Sequence, residues 1–306
     1  MSRIHEALKK AEQERAANQP VTGSVLADTP VTEPPVYADA PATLPISAAL
    51  SGVPALGGML TVDALARCPQ MEWKPDLGTM LFMNGDDSAR GTEEFRTLRS
   101  RLYHLRERMT LKKVLVTSAL PKEGKSFTAA NLAQVLVRQH GRRVLLIDGD
   151  LRGPRLHLVL GTTPGPGISD YLQGRSDELS ILQHGPMENL FFIPSGTGIA
   201  DPAELVANGR LKMLLQRLEP LFDWIIVDSP PAVPVSDASV LAKACDGVLM
   251  VVRSNATPFD AARKARQEFP EQALIGVVLN GLREEAAPYE RYYYEVYQKN
   301  GAGAKS

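Results

Sequence analysis

Cysteine is nearly absent from this chain, with two in 306 residues. Cys68 and Cys245 stand far apart without metal-ligand spacing, which excludes a disulfide framework and a zinc cluster and suits a reducing cytosol. An excess of either charge is also missing. The formal net charge is −1, so there is no general electrostatic case for nucleic acid as a partner. Long apolar runs are lacking too. The nearest candidate for a membrane span, residues 44–60, is interrupted by Pro45, Pro54 and several glycines and serines. No apolar segment follows the opening Met1-Ser2-Arg3-Ile4-His5-Glu6, so it does not read as a signal peptide. The expectation is a cytoplasmic protein. Lysine and arginine are missing between Arg15 and Arg67, where proline recurs instead. Such a stretch has little to bury and reads as a flexible linker.

What is present is ordinary for a soluble globular protein, 44% hydrophobic and 23% charged, but unevenly spread. Residues 1–17 read as a short helix with Ser2 as a cap and Ile4, Leu8 and Ala11 as a narrow apolar stripe. That pattern fits a frayed terminus or a docking helix on a tether equally well. Residues 18–80 form the proline-rich linker, and the globular domain is expected over 81–288, with a tyrosine-rich tail at 289–306. Within the domain, a charged helical segment at 92–108 precedes apolar runs at 114–117, 144–147, 190–193, 224–227, 248–252 and 275–279. These runs are rich in Val, Ile and Leu and nearly continuous, as expected of strands covered on both faces. Helical patterns at 126–139, 203–218, 237–245 and 260–268 supply crossovers. The predicted fold is a doubly wound, mostly parallel α/β sheet.

Three motifs follow apolar runs, where ligands bind in open α/β sheets. The first ends in Gly124-Lys125-Ser126 before a helix, the pattern of a phosphate loop. Its backbone N–H groups can cradle phosphate oxygens, Lys125 can reach the β/γ-phosphates, and Ser126 can ligate Mg²⁺. The usual first glycine is Ala119, and Pro121 and Glu123 occupy the loop interior. The second motif, Asp148-Gly149-Asp150-Leu151-Arg152, places two carboxylates and a guanidinium past a strand. The third, Asp228-Ser229-Pro230-Pro231, looks like a Walker B strand ending in its acid. Each acid alone could be a turn or cap residue. In this order they offer a site for ATP and Mg²⁺.

The combination Ser118-x-x-Pro121-x-Glu123-Gly124-Lys125-Ser126, Asp148-x-Asp150-x-Arg152 and Asp228-Ser229-Pro230-Pro231 closely resembles the bacterial tyrosine kinases, P-loop autokinases that regulate capsule and exopolysaccharide export. The second motif matches their additional Walker A′ motif. The resemblance runs from about Met83 to Gln298. It implies a P-loop NTPase fold related to MinD and ParA, with ATP and Mg²⁺ as cofactors. It places Lys125, Asp148, Asp150 and Asp228 in catalysis, with Asp148 the candidate base. Pro121, Glu123, Gly124, Lys125, Ser126, Phe127, Arg152 and Asn280 are expected to bind the nucleotide, and Ser126, Asp150 and Asp228 the metal. Glu93, Arg96 and Arg99 match the family's E-x-x-R-x-x-R oligomerisation motif; spaced at i, i+3 and i+6 on a helix, they lie near a common face.

The tail carries Tyr289, Tyr292, Tyr293, Tyr294 and Tyr297. A helix packing an aromatic stripe accounts for Tyr289, Tyr293 and Tyr297 but leaves Tyr292 and Tyr294 pointing elsewhere. The resemblance makes this cluster the site of autophosphorylation in trans. Each phosphate adds about −1.5 to −2 charges, so a modified tail resists docking into another subunit's site. The implied partners are further copies of the chain in a ring, a separate membrane activator of the polysaccharide co-polymerase kind and a cognate tyrosine phosphatase. That partner would hold the chain at the inner face of the plasma membrane. The competing reading is a MinD/ParA-type positioning ATPase, but its signature lysine five residues before the P-loop lysine is replaced by Leu120. A scaffold that binds nucleotide without turnover is disfavoured by the complete set of Lys125, Ser126 and three aspartates.

Overall fold

The computed structural model describes residues 60–83 and 91–282, all within one unit spanning Gly52–Ser306. The N-terminal helix, the linker up to residue 59 and the tyrosine tail lie outside the described residues. Seven strands form one sheet: β1 (Lys113–Ser118), β2 (Val144–Asp148), β3 (Gln183–His184), β4 (Leu190–Ile193), β5 (Trp224–Asp228), β6 (Gly247–Arg253) and β7 (Leu274–Asn280). The spatial order is β3-β4-β2-β5-β1-β6-β7, and every neighbouring pair is parallel except β3 with β4. The doubly wound sheet expected from the sequence is therefore present. Its central strands are buried over their whole length because both faces are covered.

Helix α1 (Thr92–Arg106) and α2 (Lys125–Val137) share one face. The opposite cluster takes in side chains of α4 (Ile168–Leu172), α5 (Pro202–Ala207), α6 (Arg210–Leu218), α7 (Asp237–Ala242) and α8 (Phe259–Gln267); α3 (Leu156–Leu160) follows the loop after β2. Helix α2 runs buried from Thr128 to Val137, so it shows no amphipathic pattern. Helix α6 is the contrasting case, burying Leu211, Leu214, Leu215 and Leu218 at helical spacing. The segment expected as one helix over 203–218 is two. Gly209 at φ +79° breaks it, a left-handed conformation that costs glycine little.

The linker boundary also needs correction. Residues 60–83 are not a spacer but a strap packed onto the domain, with Trp73, Met80 and Phe82 buried. Met71 N–H donates to His184 O at 2.9 Å, and Lys74 N–H to Gly161 O at 3.0 Å. Further along, Leu81 N–H donates to the Asn131 Oδ1 of α2 at 2.9 Å, and Asn131 Nδ2 returns a bond to Thr79 O at 2.9 Å. The prolines that dominate the composition upstream hid these apolar anchors, with Leu65 and Leu81 buried beside them. Burial of each large apolar side chain contributes about 1.5–3 kcal/mol, which offsets part of the cost of ordering the strap.

Candidate nucleotide and phosphoryl-transfer site

β1 ends in Ser118, and the chain turns through Ala119 to Gly124 into α2. Ala119 replaces the usual glycine without strain because its side chain packs into the core, fully buried. Gly124 has no such freedom. Its φ is +97°, and a Cβ there would lie 2.0 Å from Asn280 Nδ2. Asn280 ends β7 and braces the loop, donating from Nδ2 to Glu123 O at 3.0 Å. Its Oδ1 accepts from Gly281 N–H at 2.9 Å, so the amide is engaged by backbone rather than held out toward a base. Glu123 is buried as well, where Oε2 accepts from Leu120 N–H at 2.9 Å and Oε1 accepts from the Thr257 hydroxyl. It shapes the loop from beneath. Pro121 is exposed on the rim of a cavity of about 350 Å³ between the loop and the ends of β6 and β7. The ring of Phe127 turns away onto Phe95, 5.9 Å between centroids, so only its backbone can serve a phosphate.

The charged centre lies where β1, β2 and β5 end side by side. Asp148 and Asp228 are register partners across β2 and β5, and both are fully buried. Lys125 Nζ lies 2.7 Å from Asp150 Oδ2 and 3.8 Å from Asp228 Oδ2. Ser126 Oγ donates to Asp228 Oδ2 at 2.5 Å. Burial alone would depress Lys125, but the charges of Asp228 and Asp150 outweigh it and hold the ammonium above its ordinary range. Burial pushes Asp148 up to about 8, with the charge of Asp228 adding to it. Asp228 rises to about 6 for the same first reason, with Lys125 pulling it back. Gly149 keeps the second loop tight: a Cβ there would lie 2.6 Å from Asp228 O.

The second loop departs from expectation at one position. Arg152 is not aimed at a phosphate site; Nε and Nη2 are held by Asp237 Oδ2 and Oδ1 at 2.8 and 3.1 Å. At α1, Arg96 pairs with Glu93 within the helix, and Arg99 Nη1 donates to Val135 O of α2 at 3.1 Å. Arg99 therefore turns partly inward rather than sharing one outward face with the other two. The tail tyrosines lie outside the described residues. Sequence reasoning missed Thr257, Arg253, whose Nη1 donates to Lys122 O at 3.0 Å, and Asp237. Arg253 could have been found as the polar residue ending an apolar strand run; nothing local marks the other two.

Asp148 Oδ1 and Asp228 Oδ1 are buried without a hydrogen-bond partner. Two under-partnered carboxylates beside an ammonium fit a Mg·nucleotide: its cation would take up the free oxygen of Asp228, Lys125 would take phosphate charge, and the free oxygen of Asp148 would be left to accept a proton. Among the described residues no group of His, Cys, Asp and Glu holds a metal by itself. Mg²⁺ is commonly held by one or two carboxylates and completed by substrate phosphates and water.

Comparison with known proteins decides the family. An AAA domain family model matches residues 122–262. The tyrosine-protein kinase YwqD of Bacillus subtilis is 34% identical over 205 residues, covering 66% of this chain and 85% of that protein. The chain belongs to the bacterial tyrosine kinases. The tyrosine-protein kinase wzc of Salmonella typhimurium is 30% identical over 222 residues, 72% of this kinase but 31% of wzc. The solved kinase domain of the Escherichia coli tyrosine kinase ETK superposes with a TM-score of 0.61 at 29% identity, covering 67% of this kinase and 80% of that chain. The fold is thus that of a P-loop, nucleotide-binding tyrosine kinase, and the kinase reading stands over the positioning ATPase. Among the described residues no helix is long and apolar enough to cross a membrane.

Proposed function

We propose that this kinase transfers the γ-phosphoryl group of Mg·ATP to its own C-terminal tyrosines, Tyr289, Tyr292, Tyr293, Tyr294 and Tyr297, acting in trans within an oligomer. The carrying observation is the position of Lys125, held between Asp150 and Asp228 at the ends of β1, β2 and β5. The P-loop backbone from Glu123 to Phe127 would receive the phosphates, and Ser126, Asp150 and Asp228 would hold Mg²⁺ and its waters. Bound Mg·ATP supplies the phosphoryl group and the positive charge that its transfer requires.

The protein's own contribution is positioning and proton control. A tyrosine hydroxyl titrates near 10 and is a poor nucleophile at neutral pH, so a base beside it matters. Asp148 is that base. In the resting site burial and the charge of Asp228 both disfavour its carboxylate and raise its affinity for a proton. It becomes an acceptor only when positive charge beside it outweighs those effects. Lys125 holds Asp150 in place until phosphate competes for its ammonium.

Glu93 and Arg96 on α1 are the proposed contacts between copies, with Arg99 tying the helix to α2. By family likeness, the partners are a membrane co-polymerase protein that activates the kinase at the inner face of the plasma membrane and a tyrosine phosphatase, and the process regulated is exopolysaccharide synthesis and export. To test the reading, a Lys125→Met chain with its tail intact is mixed with an active chain whose five tail tyrosines are phenylalanine, and Mg·ATP is added. Phosphotyrosine appearing on the Lys125→Met tail, mapped by peptide mass spectrometry, is the expected result. Steady ATP hydrolysis with no tail phosphate, even with the activator's cytosolic segment present, would overturn it.

A further inference from the structure

The loop from Gly149 to Gly153 carries Asp150, the carboxylate in contact with Lys125. Gly149 N–H donates to Asp228 O at 2.9 Å, which fixes the near end of the loop to β5. Two further bonds stay inside the loop: Leu151 N–H to Gly149 O at 3.1 Å, and Gly153 N–H to Asp150 Oδ1 at 3.0 Å. Asp150 is thereby tied to its own loop through one oxygen and to Lys125 through the other. Any shift of the loop is a shift of that carboxylate against the P-loop. The far half reaches another element through the Arg152 guanidinium, gripped at two points by Asp237 in the first turn of α7.

The two partners differ in burial. Asp237 is 2% exposed, whereas the Arg152 side chain is 41% exposed. Hydrogen bonding to Asp237 is the leading reason that Arg152 is held above its ordinary range, and the charge of Asp201 adds to it. If Arg152 swung to a phosphate it would strand a buried carboxylate, an outcome far more costly than loss of an exposed pair. The planar two-pronged geometry also fixes the direction of the guanidinium in a way a lysine could not.

We propose that Asp237 is a positioning residue for phosphoryl transfer: through Arg152 it braces the loop that sets Asp150 against Lys125, and Arg152 acts as a brace rather than a phosphate ligand. This rests on the kinase reading of the site. In the full chain with Mg·ATP, Asp237→Ala is expected to lower kcat for tail phosphorylation about tenfold or more, the scale of a misplaced catalytic group. The Kd of a fluorescent ADP analogue should change less than about threefold, because no phosphate contact is lost. Asp237→Glu should recover part of kcat, Arg152→Lys should behave like Asp237→Ala, and the Arg152→Ala/Asp237→Ala double variant should be no worse than either single change.

A normal kcat in Asp237→Ala or in Arg152→Ala would overturn the proposal. So would matched losses of kcat, analogue affinity and melting temperature with no recovery in Asp237→Glu. If Asp237→Ala fails to fold, Arg152→Ala, which changes the exposed partner, carries the test alone. Hydrogen exchange of residues 149–154 in nucleotide-free protein separates this proposal from the kinase reading. Faster exchange in the variant, together with the loss of kcat, is the expected result, and unchanged exchange overturns the brace. Absence of phosphotyrosine in wild type overturns the kinase reading and leaves the exchange result standing.

Discussion

Strands β2 and β5 run side by side, and their two ends are built on opposite terms. At the N-terminal end Asp223 accepts from Arg142 Nη1 and from Arg143 N–H, each at 2.9 Å. Nearby, Lys113 Nζ sits 2.6 Å from Glu219 and 3.0 Å from Asp246, and Trp224 Nε1–H finds the Tyr103 hydroxyl at 3.1 Å under the Arg106 guanidinium. At the C-terminal end Asp148 and Asp228 face each other, each with one buried oxygen unpartnered. Burial pushes all three aspartates the same way, yet Asp223 ends below its ordinary range while Asp148 and Asp228 end above it. Hydrogen bonds from Arg143 and Arg142 account for the reversal at Asp223. The fold satisfies its charges at one end and leaves them short of partners at the other, where the proposed Mg²⁺ would complete them.

The largest effect expected of a single small change is at the site end. Gly124→Ala puts a methyl group into Asn280 at a left-handed backbone position and should weaken binding of a fluorescent ADP analogue roughly 100-fold, since the loop's N–H donors lose their aim. Affinity within a fewfold of wild type would show that the brace from β7 yields easily. At the opposite end, Lys113→Met should cost roughly 2–4 kcal/mol in urea unfolding because it removes the ammonium shared by Glu219 and Asp246, while analogue binding stays unchanged. A stability loss below about 0.5 kcal/mol would erase the contrast between the ends.

Stability against pH sharpens the comparison further. The folded pKa of Asp148 is raised from 3.8 to about 8, so its contribution is full below about pH 4 and is lost as pH rises to about 8. In metal-free, nucleotide-free protein, Asp148→Asn should therefore gain on wild type between pH 5 and pH 8, by at most about 1.4 kcal/mol per pH unit. Asp223 has the opposite sign: its depressed pKa gives stability that is present above the unfolded value and lost in acid. A gap between Asp148→Asn and wild type that does not change with pH would mean that Asp148 is ionised at rest. The smallest effect is on α1, where Arg96→Ala should change stability by less than about 1 kcal/mol, as for other partly exposed pairs, while shifting sedimentation toward the monomer. Unchanged sedimentation would remove α1 from the interface.

Legibility in the sequence followed locality. Strands β1, β2, β4, β5, β6 and β7 each stand within a residue or two of their apolar runs; for all but the edge strand β7, covering both faces leaves few polar positions to confuse the pattern. Strand β3 has two residues and pairs antiparallel at the edge, too short to carry any period. The strap was concealed because its apolar residues, Leu65, Trp73, Met80, Leu81 and Phe82 among them, follow a long proline-rich stretch and show neither a helical nor a strand period. In the site, the three motifs were legible since each phosphate-loop or acidic group follows its own strand. The braces were not. Asp237 lies 85 residues from Arg152, and Thr257 lies 134 from Glu123, so neither contact leaves a local mark. The Arg152–Asp237 pair was hidden for the same reason: the motif shows a guanidinium near phosphates but not the buried carboxylate that holds it.

The most direct test sets two lysines side by side, since each is held between two carboxylates at one end of the same sheet. Lys125→Met and Lys113→Met chains are incubated with Mg·ATP, and phosphotyrosine on residues 289–297 is counted per folded molecule. The account predicts that Lys125→Met loses tail phosphate at least about 100-fold, and that Lys113→Met, though less stable, labels at the wild-type rate. Equal labelling of the two variants would contradict it.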